Sequence, residues 1–219
     1  MLENMSNYLY LYVVDRDFGF APNPFHGVCT LATCKPKIRK VAKVGDWIMG
    51  VGGRRLSATG KCVFLLRVSE ILTFNDYWAD TRFEKKKPLR NGSLVMMVGD
   101  NIYHKEGADD LWVQEDSHHS NPDGSCNSEN LTRDTGSTNV LVSEHFYYFG
   151  KSALPVNLTS IGYKNGVGHS KKSLSDKAVA AMIDKIKQQN KNGINLIQDD
   201  PFDFSDASKR VDQSTRKIT

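Results

Sequence analysis

Short apolar runs separated by glycine- and proline-rich turns dominate the first half of the chain. Residues 8–14, Tyr-Leu-Tyr-Leu-Tyr-Val-Val, are aromatic, β-branched or leucine, which predicts a central strand. Residues 27–33 predict a short strand or turn, and residues 37–44 a basic helical turn or loop. Gly45-Asp46 then turns into a strand over residues 47–51, and Gly52-Gly53 turns again. The apolar run at residues 62–72 reads as one long strand. A short helix carrying Tyr77 and Trp78 is expected over residues 74–83, and a strand over 94–98.

Polarity rises sharply after that. Residues 104–139 are rich in Asp, Ser, Asn, Gly and His and read as irregular, and long irregular stretches in a folded domain are usually functional or disordered. A strand resumes over 140–149. Residues 175–189 are the clearest helix, with Ser175 as cap and Ala178, Ala181, Met182 and Ile186 at helical spacing, stopped by Asn192-Gly193. The expected fold is α+β, a curved or barrel-like, mostly antiparallel sheet with a C-terminal helix. Residues 1–196 form the domain and 197–219 a docked or mobile tail.

Composition supports a folded domain: 219 residues, 39% hydrophobic and 25% charged. No apolar run approaches the ~20 residues of a membrane span. With no signal-like N-terminus and four scattered cysteines, a reducing cytoplasm is expected. Cys29 and Cys34 lack a second ligand pair for zinc, so no metal or cofactor is expected. The net charge of +4 says little, but its distribution says more. Lys35, Lys37, Arg39, Lys40, Lys43, Arg54, Arg55 and Lys61 face only Asp46 in that stretch, a strip suited to phosphates or to a solvated face.

Four segments hold candidate chemistry. In residues 15–25, Pro22 and Pro24 stiffen a loop that follows a strand, and Gly19 permits a turn. Asp17, or Asp15 two residues earlier, can act as a catalytic carboxylate. Asn23 can read a base edge, Phe18, Phe20 and Phe25 can stack on it, and Arg16 adds a cation. The bland reading makes the aromatics core and Asp17 a turn cap. The second segment places Asp100, Asn101 and Tyr103 at a strand end. The third, Ser117-His118-His119-Ser120, offers His119 as acid, base or phosphate donor, while Arg133-Asp134 adds a carboxylate. In the fourth, residues 29–39, the basic side chains grip phosphate and the cysteines read as small core residues. No ordered thiol- or serine-hydrolase motif, P-loop or dinucleotide fingerprint is present.

The Gly-Asp-Trp-Ile-Met-Gly element and the strand after it are similar to the strand pair of small β-barrel binders of RNA and modified bases, the PUA, EVE and YTH type. A broader resemblance runs in order through residues 17–25, 29–36, 45–48, 99–104, 117–120 and 140–150. Together these segments resemble the second nucleotide-modification-associated domain family of bacterial and phage modified-base systems. That resemblance implies a modified base or nucleotide as target, with modified phage DNA as partner. Its sharpest implication is a phage-defence DNA glycosylase that excises glucosylated hydroxymethylcytosine. In that case Asp17 would be the carboxylate, assisted by Asp100 or His119. The alternative is a reader that binds a modified base without chemistry.

Overall fold

The first apolar run becomes strand β1 (Tyr8–Val14) of the computed structural model, which describes residues 7–164, 166, 168–190, 193–211 and 218. Leu9 and Leu11 pack on one side of it, Tyr10, Tyr12 and Val14 on the other, the two-residue period of a strand buried on both faces. After β1 come β2 (Cys29–Leu31), α1 (Pro36–Val41), β3 (Trp47–Gly52), β4 (Lys61–Arg67), β5 (Glu70–Thr73), α2 (Phe74–Ala79) and α3 (Leu94–Met97). The chain continues through β6 (Tyr103–Glu106), β7 (Leu111–Gln114), α4 (Ser128–Thr135), β8 (Asn139–Ser143), β9 (His145–Tyr148) and β10 (Leu154–Pro155). It closes with β11 (His169–Ser173), α5 (Lys177–Gln189) and β12 (Leu196–Ile197).

The larger sheet runs β11-β1-β3-β4-β9-β12, with β10 paired to β4. Pairing is antiparallel except between β1 and β3 and between β9 and β12. The sheet is open rather than closed into a barrel. A second antiparallel sheet, β2-β8-β5, and the hairpin β6-β7 complete the fold. The α+β class and the helix near the C-terminus are as the sequence predicts.

Four elements differ from the sequence reading. The run at 62–72 is two strands, because the chain leaves the large sheet after Arg67 and joins the small one at Glu70. The run at 140–149 divides likewise, and Ser69 N and Glu144 N bond to Val142 O and Ser69 Oγ at the shared corner. Polar residues interrupt both runs at these corners, Arg67, Ser69 and Glu70 in the first and Ser143, Glu144 and His145 in the second. Residues 94–97 form a helical turn, capped by the Ser93 hydroxyl on Met96 N, instead of a strand. The polar stretch 104–139 contains the β6-β7 hairpin and α4, with irregular chain between and around them, over half of the stretch.

The helix expected over 175–189 begins at Lys177, with Asp176 rather than Ser175 as its cap, accepting from Ala178 N. Its buried stripe is Val179, Met182, Ile183 and Ile186, set against Leu9, Leu11, Met49 and Leu65 of the large sheet. The expected stop at Asn192 lies outside the described residues. On the opposite side of the large sheet, Tyr12, Phe64 and Tyr148 pack with Cys29, Leu31 and Ile38, bringing β2 and α1 beneath the end of β1.

Candidate functional site

Strand β1 ends at Val14, and the chain then turns over residues 15–19. Gly19 adopts φ +75°, and a Cβ there would lie 2.7 Å from the Phe25 ring and 2.9 Å from Pro201, so only glycine fits. The turn separates the two candidate carboxylates. Asp15 is exposed, with its carboxylate 3.6 Å from Arg16. Asp17 points inward, accepting from the Tyr148 hydroxyl and, at 3.1 Å, from Phe202 N. Burial pushes Asp17 up to about 6, against the pull of its Tyr148, Phe202 and Gly19 bonds. Its backbone bonds Asp203, whose carboxylate is clamped by Arg55 at 2.8 and 3.0 Å. The start of the expected tail is therefore docked on this turn.

A cavity of about 220 Å³ opens beside the turn. Tyr12, Val13, Val14, Asp15, Arg16, Phe18, Phe20 and Ala21 line it, with Cys34 and Lys35 ahead of α1, His119, Arg133 of α4, and Val211. The volume is below the ~300–1,000 Å³ of sites for drug-sized ligands and suits one ring or a comparably small group. Phe20 meets the His119 ring edge-on with centroids 4.7 Å apart, and Phe18 lies 4.2 Å from His118. Lys35 Nζ sits 4.4 Å from the centre of the Tyr12 ring, a cation–π contact. The Tyr12 hydroxyl is buried and has no hydrogen-bond partner among the described residues.

Three side chains form a chain of contacts at this cavity. Cys34 Sγ lies 3.7 Å from His119 Nε2, and His119 Nδ1 lies 2.7 Å from Asp134 Oδ2. A carboxylate only accepts, so Nδ1 carries the proton that bonds Asp134 and Nε2 faces the sulfur. Burial opposes charge on all three, but their mutual attraction prevails. His119 pulls the Cys34 thiol below its ordinary value, Asp134 and Cys34 hold His119 above its own, and His119, Arg133 and Arg39 hold Asp134 below. The combination favours a thiolate–imidazolium pair. Neighbouring His118 behaves oppositely. Burial and the His119 charge press it down to about 3, so it stays neutral while its Nδ1 donates to Lys209 O at 2.7 Å.

Arg39 fixes the positions of both ends. It is fully buried and donates to the Cys34 carbonyl at 2.8 Å, to Asn139 O at 2.6 Å, to Ser137 O at 3.0 Å and to Asp134 O. Cys34 and Lys35 both sit in the left-handed region, at φ 55° and 42°. Such strain costs of order 1–3 kcal/mol per residue and collects at functional sites.

The same three ligand atoms lie within 4.8 Å of one another, close enough to consider a metal ion. Asp134, however, already accepts four donors: Cys34 N at 3.0 Å and Arg133 Nε at 3.3 Å on Oδ1, and His119 Nδ1 at 2.7 Å and the Tyr103 hydroxyl at 3.0 Å on Oδ2. A saturated carboxylate that orients a histidine fits a proton relay better than a metal ligand.

The structure brings Asp15, Arg16, Phe18, Phe20, Lys35 and His119 together at the cavity. Lys37, Lys40 and Arg54 are exposed outside it. Several other candidates face the interior. Arg39 is buried on carbonyls rather than free for phosphate. Asn23 donates to Val98 O and accepts from Lys86 Nζ and Phe25 N, at 2.8, 2.8 and 3.2 Å. Asp100 accepts from the Thr30 and Tyr77 hydroxyls, both at 2.8 Å, and Asn101 donates to Tyr77 O. Phe25 packs on Phe204, and Tyr103 bonds Asp134. Buried Lys86, which sequence reading passed over, donates to Asn23 and Val28 and is pressed down to about 8 by burial. Cys34, expected as a small core residue, lines the cavity instead. Its separations of 85 residues from His119 and 100 from Asp134 leave no linear motif, and Pro36 as the start of α1 is the one local sign of its setting.

Fold and site together define a mixed α/β protein with a cation-flanked cavity backed by a thiol–imidazole–carboxylate chain. The chain belongs to the nucleotide modification associated domain 2 family, whose model matches residues 6–208. No curated protein and no solved structure matches it. Membership ties the protein to nucleotide-modification systems. Among the described residues, no helix is long and apolar enough to cross a membrane.

Proposed function

We propose that this protein is an enzyme that seats the pyrimidine ring of a modified base of DNA in the cavity beside β1, with the substituent of the base outside it, and excises that base. The target is a modified cytosine of phage DNA, of the glucosylated hydroxymethyl type, attacked in the bacterial cytoplasm as antiphage defence. The single observation that supports this most is the convergence of Asp15, Arg16, Phe18, Phe20, Lys35 and His119 on one cavity of about 220 Å³. A flipped base needs aromatic walls, the phosphates beside it need cations, and an oxocarbenium-like sugar needs a carboxylate. The cavity position of Asp15 supports it as that carboxylate. Asp17, which the sequence favours, would act from beneath through the turn.

The test uses the whole chain with glucosylated phage DNA and with unmodified DNA. After alkali, strand breaks and released base are followed by gel and mass spectrometry. Release that depends on the modification, and is lost in Asp15→Asn, is the expected result. Tight binding to modified DNA with no released base would replace this reading with that of a reader.

A further inference from the structure

We infer that Cys34 is a nucleophile that cleaves an ester or amide bond held in this cavity, with His119 carrying the proton and Asp134 and Arg39 positioning the pair. The inference goes beyond base excision, shares only its cavity, and needs no glycosidic bond.

Three independent features carry it. The first is geometric order: nucleophile to base at 3.7 Å, base to orienting carboxylate at 2.7 Å. This arrangement defines thiol and serine acyl-transfer centres whatever the chain order of the residues. The second is contrast among the cysteines. Cys29 and Cys62 are buried in strands, and although Lys86 and Asp100 act on Cys29, burial drives both thiols far up. Cys34 alone of the four lines the cavity and touches a histidine. The third is the Tyr12 hydroxyl, 1% exposed and, among the described residues, without a hydrogen-bond partner in the same wall. An orphaned buried donor is costly, a cost relieved when a ligand oxygen accepts a hydrogen bond from it.

The step balances without a further reactant. The Cys34 thiolate forms a bond to the carbonyl carbon, and the C=O π pair moves to oxygen, where the Tyr12 hydroxyl donates a hydrogen bond. As the carbonyl reforms, the bond to the leaving oxygen or nitrogen breaks, and that atom takes the proton from His119 Nε2. A thioester remains. Water attacks it, giving its proton to His119, and the thiolate departs with the acid released.

The experiment needs no natural substrate. Iodoacetamide labelling at about pH 6, read cysteine by cysteine by mass spectrometry, compares Cys34 with exposed Cys126 inside one molecule. Cys34 is expected to react at least about tenfold faster, and to lose that lead in His119→Gln and Asp134→Asn variants with unchanged melting. p-Nitrophenyl acetate is the acyl probe. It is expected to give a burst of nitrophenolate stoichiometric with the chain and an acetyl group on Cys34, both absent in Cys34→Ser. Labelling of Cys34 no faster than Cys126, or acetylation found only elsewhere, overturns the inference. If the variants fold poorly, the wild-type rates and acetyl position decide alone. Neither arm contains DNA, so failure of base excision and failure of Cys34 catalysis are separately visible.

Discussion

Arg39 donates from Nε to the carbonyl of Cys34 at 2.8 Å, although the residue lies in the basic strip that the sequence assigns to phosphates. The same guanidinium reaches the carbonyl of Asp134, so one buried cation fixes both ends of the thiol–imidazole–carboxylate chain. A basic residue that looks like a ligand contact in one dimension is an internal brace in three.

Arg39→Met should therefore act through the fold. It strips four carbonyls of their donor, and losses of this kind cost about 3–5 kcal/mol. Urea denaturation measures it. An unchanged unfolding midpoint would mean that these carbonyls find other partners.

Asp134→Asn keeps the shape of the side chain but removes the charge that fixes the His119 tautomer. Cavity activity should drop by roughly 10²-fold or more, with little change in substrate half-saturation. Steady-state kinetics on whichever substrate turns over reads the effect. A loss confined to KM would instead assign Asp134 to binding.

Asp17 gives a pH signature. Its folded pKa is about 6 against an ordinary 3.8. Between these values the folded chain keeps a proton that the unfolded chain has released. Stability should thus fall as pH rises through that window and level off above it, by up to about 3 kcal/mol. Asp17→Asn should flatten this dependence in denaturation curves taken near pH 4 and near pH 7. An equally steep dependence in the variant would assign it to another group.

Asn23 tests the base-contact expectation. Its amide is engaged by Val98, Phe25 and Lys86. Asn23→Ala should lower stability by about 1–3 kcal/mol, leaving Lys86 short of an acceptor. A fully stable variant that has lost only recognition of modified DNA would restore Asn23 as a base reader.

Exposed Lys37 and Lys40 remain available to phosphate. Changing both to Glu should weaken DNA binding without regard to sequence and flatten the salt dependence by roughly 0.9 per lost contact. Fluorescence anisotropy across a salt series measures the slope, and an unchanged slope would place the DNA elsewhere on the surface.

Much of the framework was legible because local rules govern it. The apolar run at residues 8–14, the turn at Gly45-Asp46 and the apolar stripe of α5 each follow from neighbours in sequence. The ordered short segments were legible as a family pattern, which the match over residues 6–208 bears out. The changes of sheet at 67–70 and 143–145 were not, since the polar residues at each corner mark a break without saying which strands pair beyond it.

Local sequence was enough for the α+β class and the family, and it marked the turn after β1 as a candidate site. Tertiary structure decided which side chains that turn exposes. It turned Asp17 inward to Tyr148 and left Asp15 at the cavity. It also carried His119 and Asp134 across 85 and 100 residues to Cys34. The reason is physical. Periodicity reports which face of a strand is apolar, whereas a reactive centre depends on distances of a few ångströms between residues far apart in the chain. Those distances are set by the sheet pairings and by the buried Arg39 that ties the pieces together.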